Sequence, residues 1–191
     1  MRNGKSQQLR IIGGRWRGRK LLIPEVEGLR PTPDRVRETL FNWIAADCPG
    51  AKVLDCFAGS GALGFEAVSR EARQVTMIEK NHLAWQNLVD QAERLEGKCL
   101  DIRHGDAIQL IPELTSKYDL VFVDPPFSLG ELKQAVIDKL LQYELLNPGA
   151  LFYFEWAKSE PFELPSSEFC WRKQKTAGQV NYAMVEWLGS R

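Results

Sequence analysis

The sequence has few of the features that mark membrane proteins, disulfide-linked proteins and metalloproteins. It has two histidines, His82 and His104, and four cysteines, which are Cys48, Cys56, Cys99 and Cys170. Because the cysteines lie far apart without a C-x-x-C pair, we expect free thiols in a reducing compartment and no metal site. No apolar run approaches the ~20 residues that cross a bilayer, and residues 1–10 lack the apolar segment of a signal peptide. These absences favour a cytoplasmic protein that does not contact membranes.

The net charge of zero conceals a strongly basic N-terminal segment. Residues 1–20 carry seven basic and no acidic residues, whereas the other 171 carry 18 basic and 25 acidic residues. A basic arm on an acidic body indicates a polyanionic partner, with a solvated tail as the alternative. The apolar runs 9–12 and 20–23 flank the glycine-rich stretch 13–18, which is typical of a β-hairpin. Cations beside an aromatic ring are typical of proteins that bind single-stranded nucleic acid. The aromatic residue here is Trp16, and the cations are Arg10, Arg15, Arg17, Arg19 and Lys20.

Strand and helix patterns alternate through the rest of the chain, whose 191 residues suffice for one domain. The predicted strands are 52–57, 74–79, 99–104 and 119–124, and the helices that follow them are 62–70, 81–95, 107–114 and 132–143. This alternation predicts a mostly parallel sheet with helices on both faces. Another helix is expected from an N-cap at Thr32 to residue 44. Strands are also predicted at 150–156, 168–175 and 179–188, the last two forming an antiparallel hairpin around the turn 176–178.

A glycine-rich turn follows the first strand of this alternation. Gly59-x-Gly61-x-x-Gly64 lies between a predicted strand and a predicted helix, which is the context of a dinucleotide fingerprint. Glu79 ends the next strand, 24 residues after Asp55, where an acid that binds ribose is expected. The pattern therefore predicts a site for a nucleoside cofactor.

Four acids indicate which cofactor this is. Asp55, Glu79 and Asp124 end predicted strands, and Asp106 lies just past another, so all four meet at one edge of a parallel sheet. Like charges repel in a partly desolvated site, which makes these acids poor neighbours for a pyrophosphate. They suit the ammonium and sulfonium groups of S-adenosyl-L-methionine.

The stretch VDPPF (123–127) ends the fourth strand with a carboxylate that its own backbone cannot satisfy. An Asp in a turn normally accepts from the N–H two residues on, but Pro125 and Pro126 have none. The carboxylate of Asp124 and the carbonyl of Pro125 are therefore free to accept hydrogen bonds from an amine. Phe127 could stack on a planar ring.

These motifs resemble those of a known group of enzymes. VLDCFAGSGALG (53–64) and DPPF (124–127) resemble the cofactor loop and the D/N-P-P-Y/F motif of class I methyltransferases that modify exocyclic amines of nucleic-acid bases. IIGGRWRGRKLLIP (11–24), LRPTPDRVRETLFNWI (29–44) and HGDA (104–107) resemble the RsmD family of 16S rRNA guanine-N2 methyltransferases. The resemblance covers essentially the whole chain. It implies a Rossmann-like class I fold in a single domain, 1–191, with a basic β-hairpin extension (1–30) and a catalytic core (31–191).

The resemblance also implies an activity and its site. S-adenosyl-L-methionine would donate a methyl group to N2 of a specific guanine in 16S rRNA, leaving S-adenosyl-L-homocysteine, without a metal. The expected substrate lies in an assembling 30S subunit, and the enzyme is expected to be a monomer. The flipped base would be held by Asp124, Pro125, Pro126 and Phe127. The expected cofactor residues are Asp55, Phe57, Ala58, Gly59, Ser60, Gly61, Glu79, Lys80, Asp106 and Ala107. RNA contacts are expected at the arm residues above and at Arg30 and Arg35.

Three other functions are compatible with parts of the sequence. A DNA adenine-N6 methyltransferase would share the DPPF chemistry, but the chain has no room for a separate target-recognition domain. An NAD-dependent oxidoreductase would explain the glycines but not the four acids or the doubled proline. An RNA-binding protein without activity would explain the arm but leave Asp124 without a role.

Overall fold

The computed structural model describes residues 8–26, 29, 31–125 and 131–189. Its strands are β1 (Gln8–Arg10), β2 (Lys20–Leu22), β3 (Lys52–Asp55), β4 (Gln74–Glu79), β5 (Leu100–His104), β6 (Tyr118–Val123), β7 (Leu146–Ala157), β8 (Phe169–Ala177) and β9 (Val180–Trp187). Its helices are α1 (Asp34–Trp43), α2 (Ala62–Ser69), α3 (His82–Arg94), α4 (Ala107–Leu110) and α5 (Leu132–Gln142), and a 3-10 turn (Ile111–Glu113) extends α4. No helix within the described ranges is long and apolar enough to cross a membrane.

The larger sheet has seven strands in the order β5-β4-β3-β6-β7-β9-β8. Strands β3 to β7 run parallel, and β9 pairs antiparallel with both β7 and β8. The predicted mixed sheet with a C-terminal antiparallel hairpin is confirmed. The predicted N-terminal hairpin is confirmed too, because β1 pairs antiparallel with β2 in a separate two-stranded sheet.

Both faces of the central strands β3, β4, β6 and β7 are buried, which explains why these strands are apolar runs rather than alternating patterns. The face of Val53 and Phe122 packs against α1, α2, α3 and the N-terminal hairpin. The opposite face, with Leu54 and Val123, packs against α4 and α5. The order of the strands reverses beside β3: on one side β4 and β5 follow in the sheet, and on the other side β6 and β7 follow. Ligands of such sheets bind at this point, outside the carboxyl ends of the strands.

Three local predictions were wrong, each for a physical reason. Pro33 rather than Thr32 precedes α1, without a side-chain capping bond, because the Thr32 side chain is buried and bonds Glu155 instead. The loop 147–149 belongs to β7, which begins at Leu146 and not near residue 150. Strand β8 continues through Ala177, so the terminal turn is Gly178–Gln179, where Gly178 has a φ of 61°.

The basic arm is fixed to the core by a buried carboxylate on α2. Glu66 accepts hydrogen bonds from the backbone N–H groups of Ile12 and Gly13, both at 2.8 Å. It also pairs with Arg70 at 2.8 Å and with the buried Arg37 at 3.6 Å. A carboxylate with no exposed surface is stable only when it is paired and hydrogen-bonded, and Glu66 is both.

Gly13 and Gly14 allow the backbone of the arm to lie directly against the end of α2. The Arg15 N–H donates to the Ser69 carbonyl at 2.8 Å, and the Trp16 N–H donates to the Ser69 hydroxyl at 2.9 Å. A Cβ on Gly14 would lie 1.8 Å from the Ser69 carbonyl oxygen, and Gly14 has a φ of 72°. The glycine-rich stretch is therefore a docking segment rather than a free hairpin tip.

We expect Glu66→Gln to destabilise the protein strongly. The amide removes the charge that Arg37 and Arg70 face and turns an N–H donor toward the donors of the arm. Breaking a buried ion pair on one side costs about 3–5 kcal/mol. Urea unfolding measures this loss, and the exposed Glu38→Gln on α1 is the matched control, expected to change stability by about 0.5 kcal/mol or less. Equal stability of the two variants would show that the network does not hold the arm.

Candidate active site

The glycine loop connects the carboxyl end of β3 to the start of α2. Gly61 is the residue before α2 and has a φ of 78°. A Cβ there would lie 2.5 Å from the Phe65 ring and 2.6 Å from Leu88, so no other residue fits without movement. The Ala58 N–H donates to the Ile78 carbonyl at 3.0 Å, which ties the loop to β4. Residues Phe57 to Gly61 therefore lie where the cofactor loop was expected from the sequence.

Glu79 joins the glycine loop to the next strand. Its two carboxylate oxygens accept from the N–H groups of Gly59 and Asn81, both at 2.7 Å. These bonds fix the carboxylate at the carboxyl end of β4 and leave lone pairs that can accept from hydroxyl groups. Its position beside the loop matches the one expected for an acid that binds ribose.

Asp55 is a buried carboxyl with an unused oxygen. The residue is 3% exposed, and its Oδ2 atom has no hydrogen-bond partner within the described part of the chain. Burial raises the pKa of Asp55 to about 7, opposed by the backbone N–H of Gly64 and reinforced by the charge of Glu79. An orphaned buried acceptor of this kind is suited to a cationic or hydrogen-donating ligand.

Asp106 lies just after β5, where it is the N-cap residue of α4. One of its oxygens accepts from the Ile108 N–H at 3.0 Å, and the other pairs with the exposed Lys80 at 3.1 Å. Ala107 beside it is buried. Sequence reasoning assigned no role to His104, but its ring stacks on Trp85 at 5.0 Å and adjoins Glu79 in the register of β4 and β5.

Asp124 and Pro125 follow β6, and Asp124 lies two residues beyond Phe122, the partner of Asp55 on β3. Asp124 is half-buried, and burial of its carboxyl, followed by the charge of Glu155, raises its pKa well above the ordinary value. The charge of Lys133 partly opposes this rise. Pro126 and Phe127 lie outside the described residues. The structure therefore brings Asp124 together with Asp55 and Glu79 and leaves the base-stacking role of Phe127 a prediction.

Sequence reasoning missed a set of buried polar groups beside Asp124. Glu155 on β7 is 5% exposed and Lys133 on α5 is 6% exposed. The Tyr153 hydroxyl donates to Glu155 at 2.6 Å, and Thr32 also bonds it. An acid inside the apolar run LFYFEW (151–156) was the available signal, because a charge in a buried strand requires a partner or a ligand.

The predicted RNA-binding residues lie in two different environments. The described cations are all exposed, and they are Arg10, Arg15, Arg17, Arg19, Lys20 and Arg35. Trp16, however, is only 7% exposed and packs against Phe65, with the Arg15 guanidinium over its ring. Its predicted role as a platform for base stacking is wrong, because the indole is part of the core and anchors the arm. Arg30 lies outside the described residues.

Within the described ranges, no three His, Cys, Asp or Glu side chains come together as metal ligands. The four cysteines have free thiols, and those of Cys48 and Cys56 are buried. The acids at or near the carboxyl ends of β3, β4, β6 and β7 are Asp55, Glu79, Asp124 and Glu155.

Comparisons with known proteins agree with this geometry. Residues 9–186 match the family described as Conserved hypothetical protein 95. The chain is 42% identical to "Ribosomal RNA small subunit methyltransferase D" of Escherichia coli K12, over 95% of this chain and 91% of that protein. It is 41% identical to the protein of the same name in Haemophilus influenzae, over 94% of each chain. The solved E. coli structure called "Putative methyltransferase yhhF" has a TM-score of 0.88 at 38% identity, covering 96% of this chain and all of that one.

We expect Asp55→Asn to stabilise the ligand-free protein above neutral pH. Folding raises the pKa of this carboxyl from 3.8 to about 7, so the folded protein favours the protonated carboxyl. The stability that the protonated form provides is complete below pH 3.8 and is lost as the pH rises through 7. The neutral amide avoids this loss, which amounts to up to roughly 4 kcal/mol. Chemical unfolding near pH 3.8 and above pH 7 measures the difference, with the exposed Asp138→Asn as control. A difference from wild type that is the same at both pH values would contradict the assignment.

Proposed function

Because the chain belongs to the RsmD family of methyltransferases, described as Conserved hypothetical protein 95, we propose that it methylates N2 of a specific guanine in 16S rRNA. The methyl donor in this proposal is S-adenosyl-L-methionine. The observation that carries the proposal is the half-buried Asp124 beside Pro125, one strand away from the orphaned carboxyl of Asp55.

The residues around the glycine loop fit S-adenosyl-L-methionine. Asp55 and the backbone of Gly59 to Gly61 would hold the methionine end, where the unused Asp55 oxygen can accept from the ammonium. Glu79 would accept from the ribose hydroxyls, and Asp106 and Ala107 would contact the adenine. The remaining contacts in the proposal come from Phe57, Ala58, Ser60 and Lys80. When bound, the cofactor supplies an electrophilic methyl carbon.

The acceptors at the end of β6 address the chemical difficulty of the target. The exocyclic N2 of guanine is a poor nucleophile because its lone pair is delocalised into the ring. The Asp124 carboxylate and the Pro125 carbonyl can each accept a hydrogen bond from one of the two N–H groups of N2. These bonds orient the lone pair of N2 and increase the electron density on the nitrogen. Positioning and charge stabilisation of this kind supply most of the rate enhancement in such a transfer. Pro126 and Phe127 complete the proposed pocket for the flipped base, whose unstacking Phe127 would offset.

The arm supports an RNA substrate. Its cations are exposed while its backbone is fixed through Glu66 and Ser69, so they form a rigid basic surface rather than a tail. Phosphate contacts by such a surface give sequence-independent affinity and fix the register of the RNA. We propose 16S rRNA in an assembling 30S subunit as the substrate and a monomer as the active form.

The direct test is transfer of a labelled methyl group to ribosomal particles that lack the modification. Naked 16S rRNA and 30S precursors are compared as substrates, and the labelled nucleotide is mapped. We expect one labelled guanine, carrying the methyl group on N2. Label on an adenine, or on DNA instead of RNA, would support the alternative methyltransferase. Binding of NAD without binding of S-adenosyl-L-homocysteine would support an oxidoreductase.

In the same assay, Asp124→Asn should lower the rate of transfer by roughly 10²–10⁴-fold, the size expected for loss of a group that accepts a proton. The asparagine amide would present a donor toward the amine hydrogens in place of an acceptor. Calorimetry should give unchanged affinity for S-adenosyl-L-homocysteine. The control is Asp138→Asn, whose carboxylate is exposed and bonds Gln134 on its own helix. Normal turnover by Asp124→Asn would remove the carboxylate from the mechanism.

Reversing the charge of Arg15, Arg17 and Arg19 to Glu should weaken RNA binding and flatten its salt dependence. The slope of log affinity against log salt should fall by roughly 0.7 for each phosphate of single-stranded RNA that the arm no longer neutralises. The matched control reverses three exposed lysines outside the arm, Lys117, Lys158 and Lys175. It changes the net charge equally and should leave most of the slope. Equal effects of the two triple variants would show that net charge rather than the arm governs binding.

A further inference from the structure

The site contains two buried ionisable groups that the proposed transfer has not yet used. Glu155 at 5% exposure and Lys133 at 6% are among the few charged side chains buried in the described chain. Glu155 lies on the strand next to β6, and Lys133 lies at the start of α5; the charges of both act on the pKa of Asp124. Buried ionisable groups are costly to maintain, and two of them beside a reactive carboxyl require an explanation in terms of that carboxyl.

The sheet itself places Asp124 and Glu155 side by side. Strands β6 and β7 are parallel, with Phe122 opposite Tyr153 and Val123 opposite Phe154. The recorded pairs end there, and extending the register by one residue places Asp124 opposite Glu155. Side chains alternate along a strand, so both point to the face that also carries Tyr153. Neighbouring parallel strands are only about 4.8 Å apart, which makes these two carboxyls close neighbours.

The surroundings give the two carboxyls different tendencies to ionise. Burial raises the pKa of Glu155, but the hydrogen bonds from Tyr153 and Thr32 and the charge of Lys133 oppose the rise. The pKa of Asp124 is raised by burial, by Glu155 and by Asp55 on β3, and Lys133 on α5 opposes this. The pKa of Lys133 is lowered by burial, against the opposing charges of Asp124, Glu160 and Glu155. The charge of each of these three groups thus acts on the pKa of at least one of the others.

Methyl transfer to an amine requires an acceptor for one proton. The N2 nitrogen forms a bond to the methyl carbon while the carbon–sulfur bond breaks, and N2 then carries the positive charge until a proton leaves. A single carboxylate that must accept this proton has to be ionised before the transfer and basic enough to take the proton afterwards. These demands conflict for an isolated Asp, whose ordinary pKa is near 4.

We propose, on the basis of the function proposed above, that Glu155 and Lys133 are positioning residues that resolve this conflict for Asp124. Before transfer, Asp124 and Glu155 share one proton and one negative charge, which the Lys133 ammonium balances. The proton released from N2 then enters this carboxyl pair. Glu155 makes Asp124 the stronger proton acceptor, and Lys133 keeps the pair ionised until the amine arrives.

Lys133 also provides the route by which the proton leaves. Its side chain lines an open cleft on the surface together with Gln134, Trp156, Glu160 and Phe162. After transfer the carboxyl pair is neutral, so the Lys133 charge is no longer balanced and the ammonium can release its proton toward the cleft. The pair then returns a proton to Lys133, and the original charge state is restored.

The test is the pH dependence of methyl transfer in single turnovers by two variants with opposite expected effects. Glu155→Gln keeps an acceptor for the Tyr153 hydroxyl but removes the negative charge beside Asp124. The acidic limb of the pH–rate profile should therefore move to lower pH by about one unit or more, as expected for strongly coupled carboxyls. Lys133→Met removes the cation, so the limb should move to higher pH. Lys139→Met on the same helix, where the lysine contacts Gln142 and Tyr143, should leave the limb in place.

The carboxyl carbon of Asp124, followed by ¹³C NMR and assigned with Asp124→Asn, gives a readout that needs no RNA. Its titration should move in the same two directions as the rates. Unmoved limbs, or shifts of the same sign in both variants, would overturn the proposal, as would a purely uniform loss of rate. If wild type methylates no rRNA, the proposed function fails, and the NMR titration alone then decides whether the three groups share protons.

Discussion

Burial of carboxyl groups at one end of a parallel sheet is the constraint on which the site depends. Asp55 ends β3, Asp124 follows the neighbouring β6, and Glu155 on β7 lies one residue beyond the last recorded pair of β6 and β7. Each has a raised pKa chiefly because burial disfavours its charge. Such a cluster is costly in an empty protein. In the proposed function its cost is offset when cations and amine hydrogens occupy the site, so the feature that destabilises the fold locally would also favour binding of a sulfonium donor and an amine acceptor.

A buried carboxylate also fixes the basic arm, but in this case the protein itself supplies all the partners that the carboxylate needs. Glu66 is also a fully buried carboxylate, but Arg37, Arg70 and two backbone N–H groups satisfy it within the protein. It therefore acts as a structural anchor, whereas Asp55 retains an oxygen without a partner in the described chain. The comparison shows why burial alone does not identify a functional acid. The number of internal partners decides whether the acid holds the fold together or awaits a ligand.

The residues that could be predicted from the sequence are those whose signals are local. The alternation of apolar runs predicted the strands and the mostly parallel sheet, and the glycines before α2 and the acid of β4 indicated a cofactor loop, whose role stays a prediction. Glu155 and Lys133 were missed because their role depends on which strand neighbours β6 and on where α5 begins. Trp16 was misjudged for the same reason, since its burial comes from contact with α2 across the chain. Thr32 resembled a helix cap, but tertiary contact with Glu155 prevailed over the local preference.

Proton release on cofactor binding tests the central claim most directly. Calorimetric titration with S-adenosyl-L-methionine in buffers of different ionisation enthalpy counts the protons that the site gives up. Below the pKa of about 7 that burial gives Asp55, the account predicts that a cationic ligand displaces about one proton, and that well above this pKa the release disappears. S-adenosyl-L-homocysteine keeps the ammonium from which Asp55 would accept, so it should displace a similar number of protons. Binding without proton release below that pKa would contradict the account, because the carboxyls would then be ionised in the empty site.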